Sequence, residues 1–123
     1  LVIADESANS KFVASDLLSQ AEHGPDSQVV LVTTSEKLST TIQNEIKLFS
    51  KDLTRNDFIE QSLQNSSIVL VNSIDEALEV SNIYAPEHLI LAIENAELES
   101  EKVTNAGSVF IGNYSPESAG DYA

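Results

Sequence analysis

The sequence predicts an α/β fold built around a parallel sheet, and two observations support this prediction. Five short apolar runs are spaced along the chain, and segments with helical periodicity lie between them. None of these runs alternates apolar with polar residues, so both faces of the sheet should be buried. We therefore expect a Rossmann-like unit of about five mostly parallel strands, with right-handed connections and helices on both faces. By analogy, the expected strand order is 3-2-1-4-5.

The first predicted strand and helix occupy the start of the chain. Residues 1–4 are continuously apolar, as in a strand that is buried on both faces. Apolar residues then recur at helical spacing from Phe12 to Ala21. That helix should end at Gly24, because glycine suits the left-handed position after a helix and Pro25 cannot continue one.

A second strand and two further helices are predicted next. Residues 29–32 form the strand, and Ser35 can cap the helix that follows it. Its apolar face contains Leu38, Ile42, Ile46 and Phe49, at steps of three or four residues. Asp57 should cap a shorter helix that ends near residue 65.

The third strand, at 68–71, precedes a helix with clear signals at both ends. Ser73 should cap that helix, and Glu76 three residues later completes a capping box. Pro86 should end it, because proline disfavours helical geometry at the preceding residue, Ala85.

The last predicted elements alternate in the same way. Residues 89–93 form the fourth strand, and a short acidic helix should follow over 94–105 with its glutamates facing solvent. Gly107 should stop that helix, and residues 108–112 form the fifth strand.

Composition limits the possible functions. The 123 residues suffice for one domain, and 41% of them are apolar, as in a globular protein. No apolar run approaches the roughly 20 residues of a membrane helix, and the first residues given do not show a signal-peptide pattern. The chain has 20 acidic and 6 basic residues and a net charge of −14, which argues against binding nucleic acid or an anionic membrane. It contains no cysteine, so a bound metal would need nitrogen and oxygen ligands, and a reducing cytoplasm is the expected location.

Both ends of the sequence suggest a piece of a longer protein. The chain contains no methionine, and it opens inside the apolar run 1–4, which reads as a strand already under way. It stops at 120–123, after the last predicted strand and with no further element. We expect residues 1–123 to form a single Rossmann-like domain of a larger polypeptide.

The turn after the first strand lacks a nucleotide-binding signature. Residues 4–8 contain no glycine but two acids, Asp5 and Glu6, which would repel a pyrophosphate. There is no P-loop in the sequence either. Despite its expected fold, this segment should not bind a dinucleotide by itself.

Gln20 and His23 are the first candidate site residues. They lie three positions apart near the end of the first helix, so they share one helix face and could hold one cation. The simpler interpretation is a solvent-facing glutamine and a histidine favoured by the helix dipole.

The second candidate pair, Glu87 and His88, lies just before the fourth strand. A carboxylate beside an imidazole can activate water while the imidazole transfers protons near neutral pH. The alternative is a weak surface ion pair beside an ordinary junction residue.

Asp121 is the third candidate. It follows Gly120 beyond the fifth strand, where we expect the crevice outside the carboxyl ends of the strands to lie. A carboxylate there could bind a metal, but an aspartate beside glycine is usually a turn residue.

Taken together, these segments resemble histidinol dehydrogenases. The most specific of them is the run Gln-x-x-His-Gly-Pro-Asp-Ser-Gln at 20–28, within the matching stretch 16–28. The other matching stretches, in family order, are 1–5, Ala85-Pro86-Glu87-His88-Leu89, 105–110 and 115–122. The resemblance covers the whole sequence.

The resemblance implies an enzyme that oxidises L-histidinol to L-histidine in two NAD-dependent steps, with zinc holding the substrate. By this resemblance, Gln20, His23 and Asp121 are zinc ligands, and with His88 they line the histidinol pocket. Glu87 resembles the residue that activates water, and His88 resembles the general base. The family's fourth protein ligand is a histidine from the partner subunit of a homodimer.

Two parts of that enzyme are missing from this sequence. The chain ends before the family's C-terminal histidine, and the region that contacts NAD lies largely before Leu1. We therefore expect the isolated chain to be inactive and metal-free. The alternative to a part of an enzyme is a free-standing α/β binding or structural module without catalysis.

Overall fold

The computed structural model describes residues 1–21, 28–50 and 66–111, and these ranges form an α/β fold. The strands are β1 (Val2–Ala4), β2 (Val30–Thr33), β3 (Ser67–Leu70), β4 (His88–Ala92) and β5 (Ser108–Ile111). The helices are α1 (Ser10–Ala21), α2 (Glu36–Ser50), α3 (Ile74–Tyr84) and α4 (Ala96–Ser100). The predicted helix that begins at Asp57 and the predicted stop at Gly24 lie outside the described residues. Within the described ranges, no helix is long and apolar enough to cross a membrane.

The five strands form one parallel sheet in the order β3-β2-β1-β4-β5, so the predicted strand order is confirmed. Strand boundaries differ from the predicted ones by about one residue, which is ordinary for boundaries read from sequence. The central strands β1 and β4 explain the unbroken apolar runs. Every residue of β1 and four of the five residues of β4 are buried.

A separate apolar cluster covers each face of the sheet. On one face, β1 and β4 contribute Val2, Ala4, Ile90 and Ala92, which pack against α1 and α2. On the other face, Ile3, Leu89 and Leu91 pack against α3 and α4. Because successive strand residues point to opposite faces, β1 and β4 each supply both clusters.

The helix caps predicted at Ser35 and Ser73 are present, but the Glu76 carboxylate of the capping box binds a different backbone N–H. Ser35 accepts a hydrogen bond from the Leu38 N–H at 3.1 Å, and Ser73 accepts one from the Glu76 N–H at 3.2 Å. The Glu76 carboxylate accepts from the N–H of Asn72 at 3.4 Å, one residue earlier than in a standard capping box.

Helix α3 ends at Tyr84, as Pro86 predicts, but through a different backbone conformation. Ala85 has φ 55° and ψ 61°, the left-handed conformation, and its N–H donates to the Ser81 carbonyl. This ending satisfies a carbonyl of the last helical turn. Ala85 is the one residue other than glycine with positive φ in the described part of the chain.

The predicted helix over 94–105 is much shorter, and α4 contains only Ala96–Ser100. The amide of Asn82, in α3, explains why the chain leaves the helix. It donates to the Lys102 carbonyl at 3.2 Å and accepts from the Thr104 N–H at 2.9 Å. These bonds fix residues 102–104 as a loop against α3, and no local pattern in the sequence reports a partner that distant.

Candidate functional site

The described candidate residues lie at the edge of the sheet where the strands begin. Glu87 immediately precedes β4 and His88 is its first residue. Gln20 lies at the end of α1, and this end returns to the same edge because α1 runs back across the sheet after β1. The expected crevice lies at the opposite, carboxyl edge. The three residues thus lie at the helix end and the strand start where the sequence puts them, and Asp121, the residue expected at the carboxyl edge, lies outside the described residues.

His88 projects from β4 toward the sheet face that α1 covers. Ile90 and Ala92, two and four residues further along β4, belong to the cluster on that face, and strand residues alternate with a period of two. The imidazole is half-buried, and its Nδ1 atom is buried without a hydrogen-bond partner among the residues that the structure describes. The ring stacks on Phe110, with ring centroids 6.2 Å apart and planes inclined by 27°.

The backbone around Glu87 and His88 is held on both sides by neighbouring strands. The carbonyl of Glu87 accepts from the Ser108 N–H at 2.8 Å, and that of Pro86 accepts from the Gly107 N–H at 3.1 Å. On the other side, the Leu1 nitrogen donates to the His88 carbonyl at 3.0 Å. The Glu87 side chain itself is exposed. The junction therefore has a fixed backbone that carries an exposed carboxylate and a half-buried imidazole at adjacent positions.

Gln20 also carries an unsatisfied polar atom. Its Nε2 is buried and has no hydrogen-bond partner within the described ranges. A buried amide group without a partner costs free energy unless something else binds it. A half-turn of the amide would place Oε1 at the same position, where it could bind a cation. Gln20 thus fits the predicted role of a metal ligand.

The other two predicted ligands, His23 and Asp121, lie outside the described residues. The structure therefore does not test whether Gln20, His23 and Asp121 converge on one point. Among the residues it describes, no group of three or more His, Cys, Asp or Glu side chains could hold a metal.

A hydrogen bond that the sequence does not predict connects the two segments that carry the candidate histidines. The Tyr84 hydroxyl donates to Gln28 Oε1 at 2.8 Å. Tyr84 lies four residues before His88, and Gln28 lies five residues after His23. Gln28 is the last residue of the specific run at 20–28, and that run is the one sequence signal for this contact. Nothing in the run indicates a partner 56 positions away.

At the carboxyl edge, Asp5 occupies the turn after β1. Its carboxylate accepts from the Ser7 N–H at 2.9 Å and from the Glu94 N–H at 3.0 Å. Asp5 thereby links the end of β1 to the end of β4. A phosphate-binding turn would instead point free N–H groups at its ligand.

In the described part of the chain, the residue with a shifted pKa is Lys102, which is not one of these candidate residues. The Asp75 carboxylate, and then that of Glu99, raise the pKa of Lys102 by hydrogen bonding to its ammonium group. The corresponding N–O distances are 2.8 and 3.1 Å. Because Lys102 is solvent-exposed, these pairs contribute little to stability, and they fix the loop after α4.

Comparison with known proteins gives consistent results. A family model described as histidinol dehydrogenase matches residues 1–123. The histidinol dehydrogenase of Bacteroides fragilis strain YCH46 is 58% identical over 122 residues, which are 99% of this chain and 28% of that protein. That of Pseudoalteromonas translucida is 54% identical over 123 residues, or 100% of this chain and 28% of that protein.

A solved structure has the same fold. The crystal structure of histidinol dehydrogenase from Elizabethkingia anophelis superposes with a TM-score of 0.95 at 52% identity. The match covers 98% of this chain and 28% of that one. The chain therefore spans a little over a quarter of the length of the relatives it matches.

Proposed function

The chain belongs to the histidinol dehydrogenase family, and from this premise we propose that the complete polypeptide carrying this segment oxidises L-histidinol to L-histidine. The reaction takes place in the cytoplasm and consists of two successive NAD-dependent oxidations. The observation that supports a catalytic role for this segment is the junction at β4. There an exposed carboxylate, Glu87, immediately precedes in sequence the half-buried His88, whose Nδ1 has no partner in the described part of the chain.

His88 acts as the general base. It accepts the proton of the substrate alcohol on the ring nitrogen of the neutral imidazole that carries a lone pair. NAD, when bound, supplies the hydride acceptor for both oxidations. The partial burial of His88 favours direct proton transfer from the substrate over exchange with bulk water.

Glu87 acts in the second oxidation. Its carboxylate removes a proton from a water molecule, which then attacks the carbon of the aldehyde. Exposure of Glu87 gives water access to this carboxylate, while the strand-like backbone beneath it is fixed by the Ser108 N–H. The adjacent residues 87 and 88 thereby take separate roles.

Gln20, His23 and Asp121 would hold a zinc ion, and together with His88 they would line the pocket for L-histidinol. Zinc, when bound, supplies a Lewis-acid anchor that orients the substrate. The buried amide of Gln20 supports this assignment, because the amide lacks a partner in the described residues. By the family resemblance, the fourth protein ligand would be a histidine of the partner subunit, which supports a homodimer as the active form of the proposed enzyme.

The test uses the complete polypeptide and follows NADH formation from L-histidinol together with zinc content. His88→Ala should reduce turnover at least a hundredfold and leave zinc content nearly unchanged, as expected for the loss of a general base. His23→Ala should lose the metal. Glu97→Gln, an exposed change on α4, is the matched control and should alter neither quantity. Equal loss of zinc in both histidine variants would contradict this division of roles.

A chimaera separates the segment from its context. Residues 1–123 would replace the corresponding part of the Bacteroides fragilis enzyme, which is 58% identical over 122 residues. The chimaera should oxidise L-histidinol, and the same chimaera with His88→Ala should not. A folded, dimeric chimaera that binds zinc but has no activity would instead favour a non-catalytic α/β module.

A further inference from the structure

We propose that Phe110 is the residue that positions the imidazole of His88 for proton transfer. The proposal rests on the proposed function, because it concerns the same base. It assigns the β5 strand, which carries none of the candidate catalytic or metal-binding residues, a direct part in the site. Three observations support it: the stacking geometry, the unpaired Nδ1 atom and the packing behind Phe110.

The first observation is the geometry across β4 and β5. His88 is directly opposite Ser108, and Ile90 is opposite Phe110, so Phe110 is the diagonal neighbour of His88 on the same sheet face. Aromatic side chains reach such diagonal neighbours. The two rings stack with centroids 6.2 Å apart and planes inclined by 27°. This lies within the range of offset aromatic pairs.

The second observation concerns the hydrogen bonds that could orient the imidazole of His88. A catalytic histidine is ordinarily oriented by a hydrogen bond that its non-reacting ring nitrogen donates to a third group. In the part of the chain that the structure describes, Nδ1 of His88 is buried and no group bonds to it. Contact with a ring face restricts rotation of the imidazole without needing a hydrogen bond. Phe110 is the residue that supplies this contact.

The third observation is that Phe110 is itself supported. It is partly buried and packs against the apolar cluster beneath α1 and α2. Its strand is joined to the start of β4, because the Ser108 N–H donates to the Glu87 carbonyl at 2.8 Å. The ring of Phe110 therefore stands between the core and His88. Because Phe110 is packed against the core, it can restrict the motion of the His88 side chain, whose Nδ1 has no hydrogen-bond partner in the described ranges.

The test compares two substitutions in the complete polypeptide. Phe110→Leu keeps an apolar side chain, although a smaller one, and removes the ring, whereas Phe110→Tyr keeps the ring face. With L-histidinol and NAD, kcat of Phe110→Leu should fall about tenfold, because small losses of alignment have large kinetic effects, while KM changes by less than about twofold. Phe110→Tyr should retain kcat within about twofold of the unsubstituted enzyme. Both proteins must show the same dimer mass and zinc content.

A spectroscopic measurement tests positioning independently of activity. With histidine-selective labelling, the His88 ring protons should show a ring-current displacement that disappears in Phe110→Leu and remains in Phe110→Tyr; His88→Gln identifies the signal. An equal loss of kcat in both variants, or full kcat in Phe110→Leu, would overturn the proposal. If the unsubstituted polypeptide does not oxidise L-histidinol, the proposed function fails. In that case the spectra alone test the positioning role of Phe110. A His88 signal without ring-current displacement in the unsubstituted protein would refute that role.

Discussion

The identity of Gly107 is constrained by the backbone packed against it. A Cβ atom at this position would lie 2.7 Å from the carbonyl oxygen of Glu87, closer than such atoms approach without displacement. The conflict is with backbone and not with a flexible side chain, so it cannot be relieved locally. The glycine therefore lets β5 approach the junction that presents Glu87 and His88.

Gly107→Ala should reduce the free energy of unfolding by about 1–3 kcal/mol, the usual cost of inserting a methyl group where no space exists. Urea denaturation followed by circular dichroism measures the change. Ser108→Ala is the matched control, because it alters an exposed side chain and keeps the backbone N–H that bonds to Glu87. Its effect should stay within about 0.5 kcal/mol. Equal losses in the two variants would contradict the close-approach argument.

Single residues also show what the sequence could reveal about the site. A carboxylate beside a histidine at a strand entrance was a recognisable pattern, and so were the glutamine and histidine at the end of α1. Phe110 and Tyr84 did not form a recognisable pattern, because each appears in the sequence only as an apolar residue of a predicted strand or helix. Their contacts with His88 and Gln28 exist only once distant strands and helices are assembled.

At the scale of elements, the end of α3 stores a local strain. Ala85 takes the left-handed conformation, with φ 55°, that costs an L-residue roughly 1–2 kcal/mol, and glycine adopts it freely. Because glycine also gains entropy in the unfolded chain, part of this cost is not recovered on substitution. Ala85→Gly should therefore stabilise the protein by up to about 1 kcal/mol.

Thermal unfolding of Ala85→Gly should show a higher midpoint than that of the unsubstituted protein. Glu79→Gly supplies the opposite case, since residue 79 is exposed in the interior of the same helix and glycine there costs about 1 kcal/mol. If Ala85→Gly destabilised the protein as much as Glu79→Gly does, the left-handed cap would not be a strained position.

The hydrogen bond between Tyr84 and Gln28 joins the end of α3 to the approach to β2. An exposed side-chain hydrogen bond contributes about 0.5–1.5 kcal/mol, so Tyr84→Phe should have a small effect on global stability. Its effect should fall on the site, because the bond links the segments that carry His23 and His88. In the complete polypeptide, Tyr84→Phe should raise KM for L-histidinol several-fold and change the unfolding midpoint little.

A double-mutant cycle decides whether the pair acts as proposed. Gln28→Ala alone should raise KM as much as Tyr84→Phe does, and the double variant should be no worse than either single one. Fully additive effects would show that the two side chains act independently of each other.

The elements themselves were predicted unevenly, for physical reasons. Burial on both faces explains the unbroken apolar runs of β1, β2 and β4, whereas the edge strands β3 and β5 have similar apolar runs but are largely exposed or only partly buried. Helix α4 was predicted too long because its acidic residues have good helical propensity, and the decisive contact is with Asn82 in α3. Local propensity is overruled wherever a tertiary partner binds the backbone.

At the scale of the whole molecule, the position of the site follows from the path of the chain. Parallel strands make each helix return to the starting edge, so α1 delivers Gln20 to the edge where β4 begins with His88. The general rule for open α/β sheets points to the other edge. The rule describes crevices formed by loops after the strands, and the described candidate residues instead lie at a helix end and a strand start.

The same whole-molecule argument predicts how the isolated 123-residue chain behaves. The chain spans 28% of the length of the Bacteroides fragilis relative. It contains three of the proposed zinc ligands, Gln20, His23 and Asp121. Three nitrogen and oxygen ligands without the fourth form an open site, so the affinity for zinc should be weak. Isothermal titration should show no tight, stoichiometric binding. The weak binding that occurs should fall with added salt, as expected for a chain of net charge −14.

His23→Ala in the isolated chain is the control for this titration. If the incomplete set of ligands cannot form a closed site, this substitution should leave the weak, salt-sensitive binding almost unchanged. In the complete polypeptide the same substitution should release the zinc, because there it would remove one of four ligands. A nanomolar site in the isolated chain that His23→Ala abolishes would contradict the need for a partner subunit. It would mean that this segment alone arranges its ligands around the metal.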